Sequence, residues 1–117
     1  MSETNSKPTI SYQDFSKLDL RVGQVLEAEV PSWSNSLIKM KIDFGEEIGQ
    51  RTICAGIKDH YAPEDLVGRK FAFVVNLAEK QMGKALSQGM MLMAVDKEDR
   101  PIKIEVPKEA PVGCTIC

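Results

Sequence analysis

The sequence predicts a single all-β domain, a small barrel of five or six short strands with a few short helices. Three observations lead to this prediction. The 117 residues suffice for one core, and 43% hydrophobic with 27% charged residues is typical of a soluble globular chain. Apolar residues recur with a period of two along much of the chain, between turns rich in Gly and Pro. Helical spacing is confined to short segments.

The start of the chain predicts a flexible lead-in over residues 1–10, which are mostly polar, followed by one domain over residues 11–117. Ser11 and Asp14 have the spacing of a capping arrangement, so we expect a short helix through about Lys17. Its apolar residues should line one side: Tyr12, Phe15 and Leu18.

Alternation with period two begins at Leu20 and predicts a first strand through Val30, with Gly23 as the position of a bulge or bend. Its inward residues are expected to be Leu20, Val22, Leu26, Ala28 and Val30. After the loop at 31–36 a second strand should point Ile38, Met40, Ile42 and Phe44 inward. Lys39 and Lys41 alternate with them, so both lysines should share the outer face.

The rest of the chain predicts further short strands at 51–55, 71–75, 90–95 and 102–106. A turn is expected at 45–49 and another at 96–100. Pro63 should begin a short helix that ends before Gly68, because proline suits the first helical position and glycine suits the end.

The sequence contains no recognisable catalytic or cofactor motif, so we expect a binding protein with no cofactor rather than an enzyme. His60 is the only histidine and has no partner motif. Cys114 and Cys117 have the spacing of half a metal or redox site, but a second half is missing. With Cys54 they make three thiols that cannot all pair, which favours structural thiols in a reducing compartment.

We also recognise no membrane-spanning stretch and no secretion signal in the sequence. No stretch approaches the roughly 20 consecutive apolar residues that a bilayer span needs. The first seven residues lack the apolar stretch of a secretion signal. We therefore expect a cytoplasmic protein without membrane contact.

The net charge of −2 excludes a uniformly basic nucleic-acid binder, so any such site must be a local patch. Five cations lie near predicted loops or on the outer face of a strand: Arg21, Lys39, Lys41, Lys80 and Lys84. They could serve solubility alone, or they could bind a polyanion on one face of the barrel. Composition does not separate these two interpretations.

A series of motifs resembles the tRNA-binding OB-fold domain found at the C-terminus of many methionyl-tRNA synthetases. The first is Asp-Phe-Ser-Lys-Leu-Asp-Leu-Arg-Val-Gly at 14–23. The others follow in the family's order and spacing at 42–45, 61–68, 74–77, 87–94 and 106–113. Together they cover about residues 11–116. One such motif is weak evidence, whereas the ordered set is specific.

The resemblance implies a five-stranded OB-fold Greek-key barrel whose N- and C-terminal extensions join two copies into a homodimer. It implies tRNA as the partner, and a methionyl-tRNA synthetase as a further partner. The family's Ser-x-Gly-Met segment maps onto Ser87, Gln88, Gly89 and Met90. The family's other functional stretch, the loop after the first strand, departs from the pattern here, because 31–37 is one residue longer and lacks the lysine.

Free-standing members of the family also include CsaA-type export chaperones, which bind unfolded or pre-secretory polypeptides. The longer loop and the Asp-Phe-Gly-Glu-Glu-Ile-Gly run at 43–49 are similar to the chaperone branch. Ala55-Gly56 and the segment at 87–90 are similar to the tRNA-binding branch, which we favour. The six methionines are interpreted as core residues rather than as a surface for unfolded chains.

The candidate RNA-binding residues combine the cations with the family's loops. Trp33 could stack on an unpaired base or pack across the barrel mouth. The Ser87 hydroxyl is expected to bind phosphate or sugar, and the Met90 thioether to pack against a base. The full predicted set is Arg21, Trp33, Asn35, Lys39, Lys41, Lys80, Lys84, Ser87, Gln88 and Met90.

Overall fold

A five-stranded antiparallel sheet, curved into a nearly closed barrel, forms the body of the protein in a computed structural model that describes residues 6–117. Its strands follow the order β3-β2-β1-β4-β7. Within the described residues the strands are β1 Leu20–Glu29, β2 Ile38–Asp43, β3 Gln50–Ala55, β4 Lys70–Val74, β5 Lys80–Met82, β6 Ala85–Ser87, β7 Met90–Met91, β8 Met93–Val95 and β9 Pro101–Lys103. The predicted five-stranded OB-like barrel is confirmed.

The barrel closes between β3 and the segment that joins β6 to β7. The Gln88 N–H donates to the Thr52 carbonyl at 2.8 Å, and the Thr52 N–H donates to Gln88 Oε1 at 2.9 Å. The Cys54 N–H donates to Ser87 Oγ at 3.0 Å. Side chains therefore replace part of the backbone ladder that a regular strand pair would supply.

Three short helical segments accompany the strands: α1 Tyr12–Phe15, α2 Gly45–Ile48 and a 3₁₀ turn at Pro63–Asp65. The predicted cap of α1 is confirmed, because Ser11 Oγ accepts from the Asp14 N–H at 3.1 Å. The turn predicted at 45–49 is instead α2. Of the predicted lead-in, residues 1–5 lie outside the described part of the chain, and residues 6–10 are exposed and carry no regular structure.

The core lies between the inner faces of β1 to β4. The second strand points inward as predicted, since Ile38, Met40, Ile42 and Phe44 are each at most 1% exposed. The Phe44 and Phe73 rings meet edge to face with centroids 5.2 Å apart, an arrangement that favours aromatic pairs. The inner face of β2 is thereby fixed, so its outer face can carry polar side chains without disturbing the core.

Of the bulge or bend predicted at Gly23, the bulge is wrong, because pairing with β4 is continuous through this residue. The pairing of β1 with β2 shifts between Val25 and Glu27, so the extra residue is Leu26, which is partly exposed rather than inward. Gly23 is needed for a different reason. A Cβ there would lie 2.6 Å from Ile42 Cγ2, so the glycine allows the core side chains to approach the backbone.

Three features of the second half of the chain differ from the sequence prediction. The antiparallel hairpin of β5 and β6 was not predicted, because its six residues show no clear alternation of apolar and polar side chains. The single strand predicted at 90–95 is two strands, β7 and β8, which belong to different sheets. The predicted strand at 102–106 is reduced to β9 and one bridge between Glu105 and Phe71.

The C-terminal segment covers the edge of β1 that β2 leaves open. The Ile116 N–H donates to the Leu20 carbonyl at 2.8 Å, and the Val22 N–H donates to the Cys114 carbonyl at 3.0 Å. Lys70 Nζ holds the preceding turn by donating to the Lys108 and Ala110 carbonyls. The end of the chain is therefore part of the barrel wall. Across residues 6–117, no helix is long and apolar enough to span a membrane.

Candidate nucleic-acid interface

Lys39 and Lys41 lie on the outer face of β2, as predicted. The strand register places Lys39 between Glu29 and Cys54, and Lys41 between Glu27 and Thr52. Within the described chain, no carboxylate oxygen lies within 4.0 Å of either ammonium. The lysines thus face glutamates on one side and uncharged residues on the other, so the positive potential extends toward β3.

The β5–β6 hairpin brings a third lysine to the same side of the barrel. Lys84, in the hairpin turn, lines a groove of about 310 Å³ together with Lys39, Thr52 and Gln88. Lys39, Lys41, Lys84 and Thr52 are called the lysine face below. Three ammonium groups on one surface form the local cationic patch that a net-acidic chain needs to attract a polyanion.

A second groove lies on the other side of the hairpin and meets the loop between β1 and β2. It has a volume of about 410 Å³ and is lined by Trp33, Asn35, Leu37, Lys80 and Gly83, among others. These residues are called the hairpin groove below. The structure therefore brings Lys80 together with Trp33 and Asn35, two predicted residues from a distant part of the chain.

Trp33 packs against the hairpin turn. Gly83 has φ +63°, and a Cβ at this position would collide with the indole ring, so glycine allows the ring to lie directly on the backbone. The ring remains partly exposed. Of the two interpretations of Trp33, packing is therefore observed, while the exposed part of the ring remains available for stacking on a base.

Arg21 is not the free cation that the sequence predicts. Its side chain is 13% exposed and forms ion pairs with Asp19 at 2.7 Å and with Glu47 at 2.9 Å. It also donates to the Gly113 carbonyl at 3.1 Å. These partners raise the pKa of the guanidinium above its ordinary value, the hydrogen bond to Asp19 contributing most. Arg21 thus ties β1 to the C-terminal segment, away from the lysine face.

The Ser87 hydroxyl, which was expected to bind phosphate or sugar, lies in the barrel wall and not on the surface. Ser87 is 3% exposed, and its Oγ accepts from the Cys54 N–H and donates to the Gly89 carbonyl at 3.3 Å. Gln88 is partly exposed, but its side-chain Oε1 accepts from the Thr52 N–H. Gly89 has φ +145°, and a Cβ there would lie 2.8 Å from the Val74 carbonyl. The motif at 87–89 therefore closes the barrel, in part through the side chains of Ser87 and Gln88.

Met90 is 52% exposed on β7, as its predicted role requires, but it lines neither the groove of the lysine face nor the hairpin groove. The sequence analysis did not single out Arg51, which pairs with Ile42 in the sheet and shares the residue Gln88 with the groove of the lysine face through a neighbouring pocket. Arg51 on β3 is partly buried and donates to the Val75 carbonyl at 2.5 Å. Its position as a cation on the strand beside the two lysines was the available signal.

The cysteines give no sign of a metal site. Among residues 6–117 no group of three or more His, Cys, Asp or Glu side chains is placed to hold a metal ion. Cys54 is buried beside Lys39 on β3; burial raises the pKa of its thiol, and the charge of Lys39 partly offsets that rise. Cys114 is partly buried and Cys117 is exposed.

The chain belongs to a family of tRNA-binding domains. Residues 20–115 match the family described as "Putative tRNA binding domain". The chain is 44% identical over 108 residues to the methionine–tRNA ligase of Methanococcus aeolicus, and 40% identical over 111 residues to that of Clostridium acetobutylicum. These alignments cover 92% and 94% of this chain but 16% and 17% of the ligases. The chain thus spans about one sixth of the curated relatives it matches.

Solved structures place the chain near two kinds of protein. It superimposes on the MetRS related protein from Pyrococcus horikoshii with a TM-score of 0.90 and 39% identity, over 95% of this chain and 100% of that one. It superimposes on the chaperone CsaA of Bacillus anthracis with a TM-score of 0.83 and 33% identity, over 94% and 100%. The predicted family is confirmed, and both of its predicted branches are represented.

Proposed function

We propose that this protein binds tRNA, without catalysis, through the lysine face and the hairpin groove. The observation that carries the proposal is the placement of Lys39, Lys41 and Lys84 on one surface beside a partly exposed tryptophan. Ammonium groups bind phosphates through charge, and an aromatic ring stacks on a base of any identity. The surface therefore combines the two kinds of contact that a single-stranded loop of RNA requires.

The charges around the lysine face favour one path for the RNA. Glu27 and Glu29 oppose the lysines from β1, whereas their neighbours on β3 are the uncharged Thr52 and Cys54. The carboxylates of Glu27 and Glu29 repel phosphates. The backbone should therefore run along β2 and β3 toward Lys84 and the hairpin, the side on which OB-folds commonly bind.

We also propose that the protein acts as a cytoplasmic homodimer, associated with a methionyl-tRNA synthetase. Several large apolar side chains are exposed in the single subunit, in the segment around α1 and in the β8–β9 hairpin: Ile10, Tyr12, Val95, Ile102 and Ile104. A second copy would remove them from water, which favours association. A dimer would also present two lysine faces to one rigid RNA, which strengthens binding through effective concentration.

Sedimentation equilibrium tests the dimer. The proposal predicts a mass of twice 13.0 kDa at tens of micromolar protein. A monomer at this concentration would contradict it. Synthetase association is tested separately by adding a purified methionyl-tRNA synthetase and looking for a faster-sedimenting complex.

The second candidate function is binding of unfolded polypeptides, favoured by the likeness to CsaA and by the exposed apolar residues. Salt separates the two candidates. Phosphate contacts release counterions, so tRNA affinity should fall steeply between about 50 and 200 mM salt. Capture of an unfolded chain through apolar surface should change little over this range.

The experiment measures tRNA affinity across this salt range, beside the suppression of aggregation of a denatured client protein. Our proposal predicts salt-sensitive binding of tRNA and no suppression at equal protein concentration. Salt-insensitive suppression without tRNA binding would establish the chaperone function instead.

A further inference from the structure

Arg51 differs from the other arginines of the described chain in having no carboxylate partner. Arg21, Arg69 and Arg100 each have a carboxylate oxygen within 3.0 Å. Arg51 is partly buried, and only its Nη1 is engaged, by the Val75 and Gln88 carbonyls. The Nε and Nη2 edge has no partner within residues 6–117. A partly desolvated cation with a free donor edge is a binding group for a ligand that supplies acceptors.

This arginine lines a pocket of about 380 Å³ at the start of β3, which we call the Arg51 pocket. Its other walls include Leu77, Glu79 and Gln88. Glu79 Oε2 accepts from Gln88 Nε2 at 3.4 Å, so its second oxygen is free to accept hydrogen bonds. Leu77 is 41% exposed and supplies an apolar surface. The volume is within the range of small-molecule sites, about 300–1,000 Å³.

The chemistry of the pocket favours a base over a phosphate. Glu79 repels an anion but accepts N–H groups, while the free edge of Arg51 presents two parallel donors. Guanine offers two adjacent acceptors, O6 and N7, and two adjacent donors, N1–H and N2–H₂. Adenine, cytosine and uracil each lack at least one of these adjacent pairs. Guanine is therefore the base that matches both side chains.

The Arg51 pocket adjoins the lysine face. Gln88 lines both this pocket and the groove that contains Lys39 and Lys84. We propose that the Arg51 pocket takes one unpaired guanine of the RNA whose phosphates lie on the lysine face, an inference that rests on the proposed function. Bases in single-stranded loops are accessible in this way because they can be turned out of the stack.

The test titrates the full-length protein with guanosine, adenosine and cytidine 5′-monophosphates and follows backbone amide shifts at 75–79 and 88–89. All three nucleotides carry the same phosphate, so differences report the base. We expect the guanine nucleotide to bind at least about fivefold more tightly than the others. Glu79→Gln should abolish most of this preference. A carboxylate can accept from both N1–H and N2–H₂ of guanine, whereas an amide has one acceptor oxygen and an NH₂ group that only donates. Glu109→Gln, an exposed residue outside the pocket, is the matched control.

Two results would overturn the inference. Equal affinity for the three nucleotides would show that the base is not recognised. Tighter binding by Glu79→Gln would show that the ligand is the phosphate, since the variant removes a repulsive charge.

These outcomes are distinct from failure of the proposed function. If tRNA binds through Lys39 and Lys41 but the nucleotides show no preference, the inference alone is wrong. If tRNA does not bind at all, the proposed function is wrong. A preference for the guanine nucleotide would then belong to a site for free nucleotides, and the inference that the pocket takes a base of RNA would be wrong as well. Arg51→Lys keeps the charge but loses the parallel donors, so it should lower the guanine preference while tRNA binding keeps its salt dependence.

Discussion

Gln88 pairs with Thr52 as a strand residue would, but it uses its side chain for half of the pair. Its N–H donates to the Thr52 carbonyl at 2.8 Å, and its Oε1 accepts from the Thr52 N–H at 2.9 Å. The neighbouring Ser87 does the same for the Cys54 N–H. The motif that a resemblance assigns to RNA binding therefore closes the barrel beside the lysine face.

Ser87→Ala tests this structural role. The variant leaves the Cys54 N–H, in a buried part of the sheet, without its acceptor, and a buried unsatisfied group typically costs about 1–3 kcal/mol. We expect the free energy of unfolding to fall by this amount in urea, with an unchanged salt slope of tRNA binding. Ser32→Ala, at an exposed loop position, should be within about 0.5 kcal/mol of the parent. Full stability with weakened binding would instead make Ser87 a ligand contact.

Replacing the glutamates beside the lysine face should strengthen binding. In the Glu27→Gln, Glu29→Gln double variant, the residues opposite Lys41 and Lys39 no longer repel phosphate. We expect higher tRNA affinity, most clearly at low salt, measured by fluorescence anisotropy. The matched control is Glu64→Gln with Glu109→Gln, which makes the same charge change at exposed positions away from the face. Equal gains in both pairs would show that only net charge matters.

Trp33 is the only tryptophan, so its fluorescence reports on the hairpin groove. If a base stacks on the exposed part of the ring, saturating tRNA should quench the emission. Trp33→Ala should then weaken binding by about 1–3 kcal/mol, the usual range for one stacked base. Unchanged emission at saturation would restrict Trp33 to its packing against Gly83.

The buried thiol of Cys54 predicts a pH effect on stability. Its pKa is raised in the folded protein, chiefly by burial, so the thiolate forms more easily in the unfolded chain. The stabilisation is complete below the ordinary thiol pKa of about 8.5 and is lost as pH rises above it. The gap in melting temperature between the parent and Cys54→Ala should therefore shrink from pH 7 to pH 10. A gap independent of pH would contradict the raised pKa.

The sequence predicted those parts of the fold that depend on simple alternation. Ile38 to Phe44 alternate in an inner and outer set, so the burial of β2 and the exposure of its lysines followed directly. The bulge at Leu26 could not be located, because register depends on the partner strand. The hairpin of β5 and β6 has no apolar pattern, and it is held by its turn and by Trp33.

The placement of the candidate side chains was predicted where it follows from strand alternation, and was not predicted where it depends on tertiary partners. Lys39 and Lys41 lie as expected. Arg21 has the same alternation, but Glu47 and Gly113, which approach it from distant parts of the chain, engage its side chain. Arg51 was missed because its sequence neighbours do not show that, in the fold, its side chain has no carboxylate partner among the described residues.

The most direct test of the lysine face is the slope of log affinity for tRNA against log salt concentration in the Lys39→Ala, Lys41→Ala variant. Each lost phosphate contact should reduce the steepness by roughly 0.7–0.9. Lys41 is exposed, Lys39 is half-buried on the outer face, and neither forms an ion pair within the described chain, so we expect each change to alter stability by about 0.5 kcal/mol or less. The account predicts weaker binding with a flatter slope, and parental behaviour from Lys97→Ala with Lys108→Ala, two exposed lysines outside the face. Parental affinity and slope in the Lys39, Lys41 variant would show that this face does not bind tRNA.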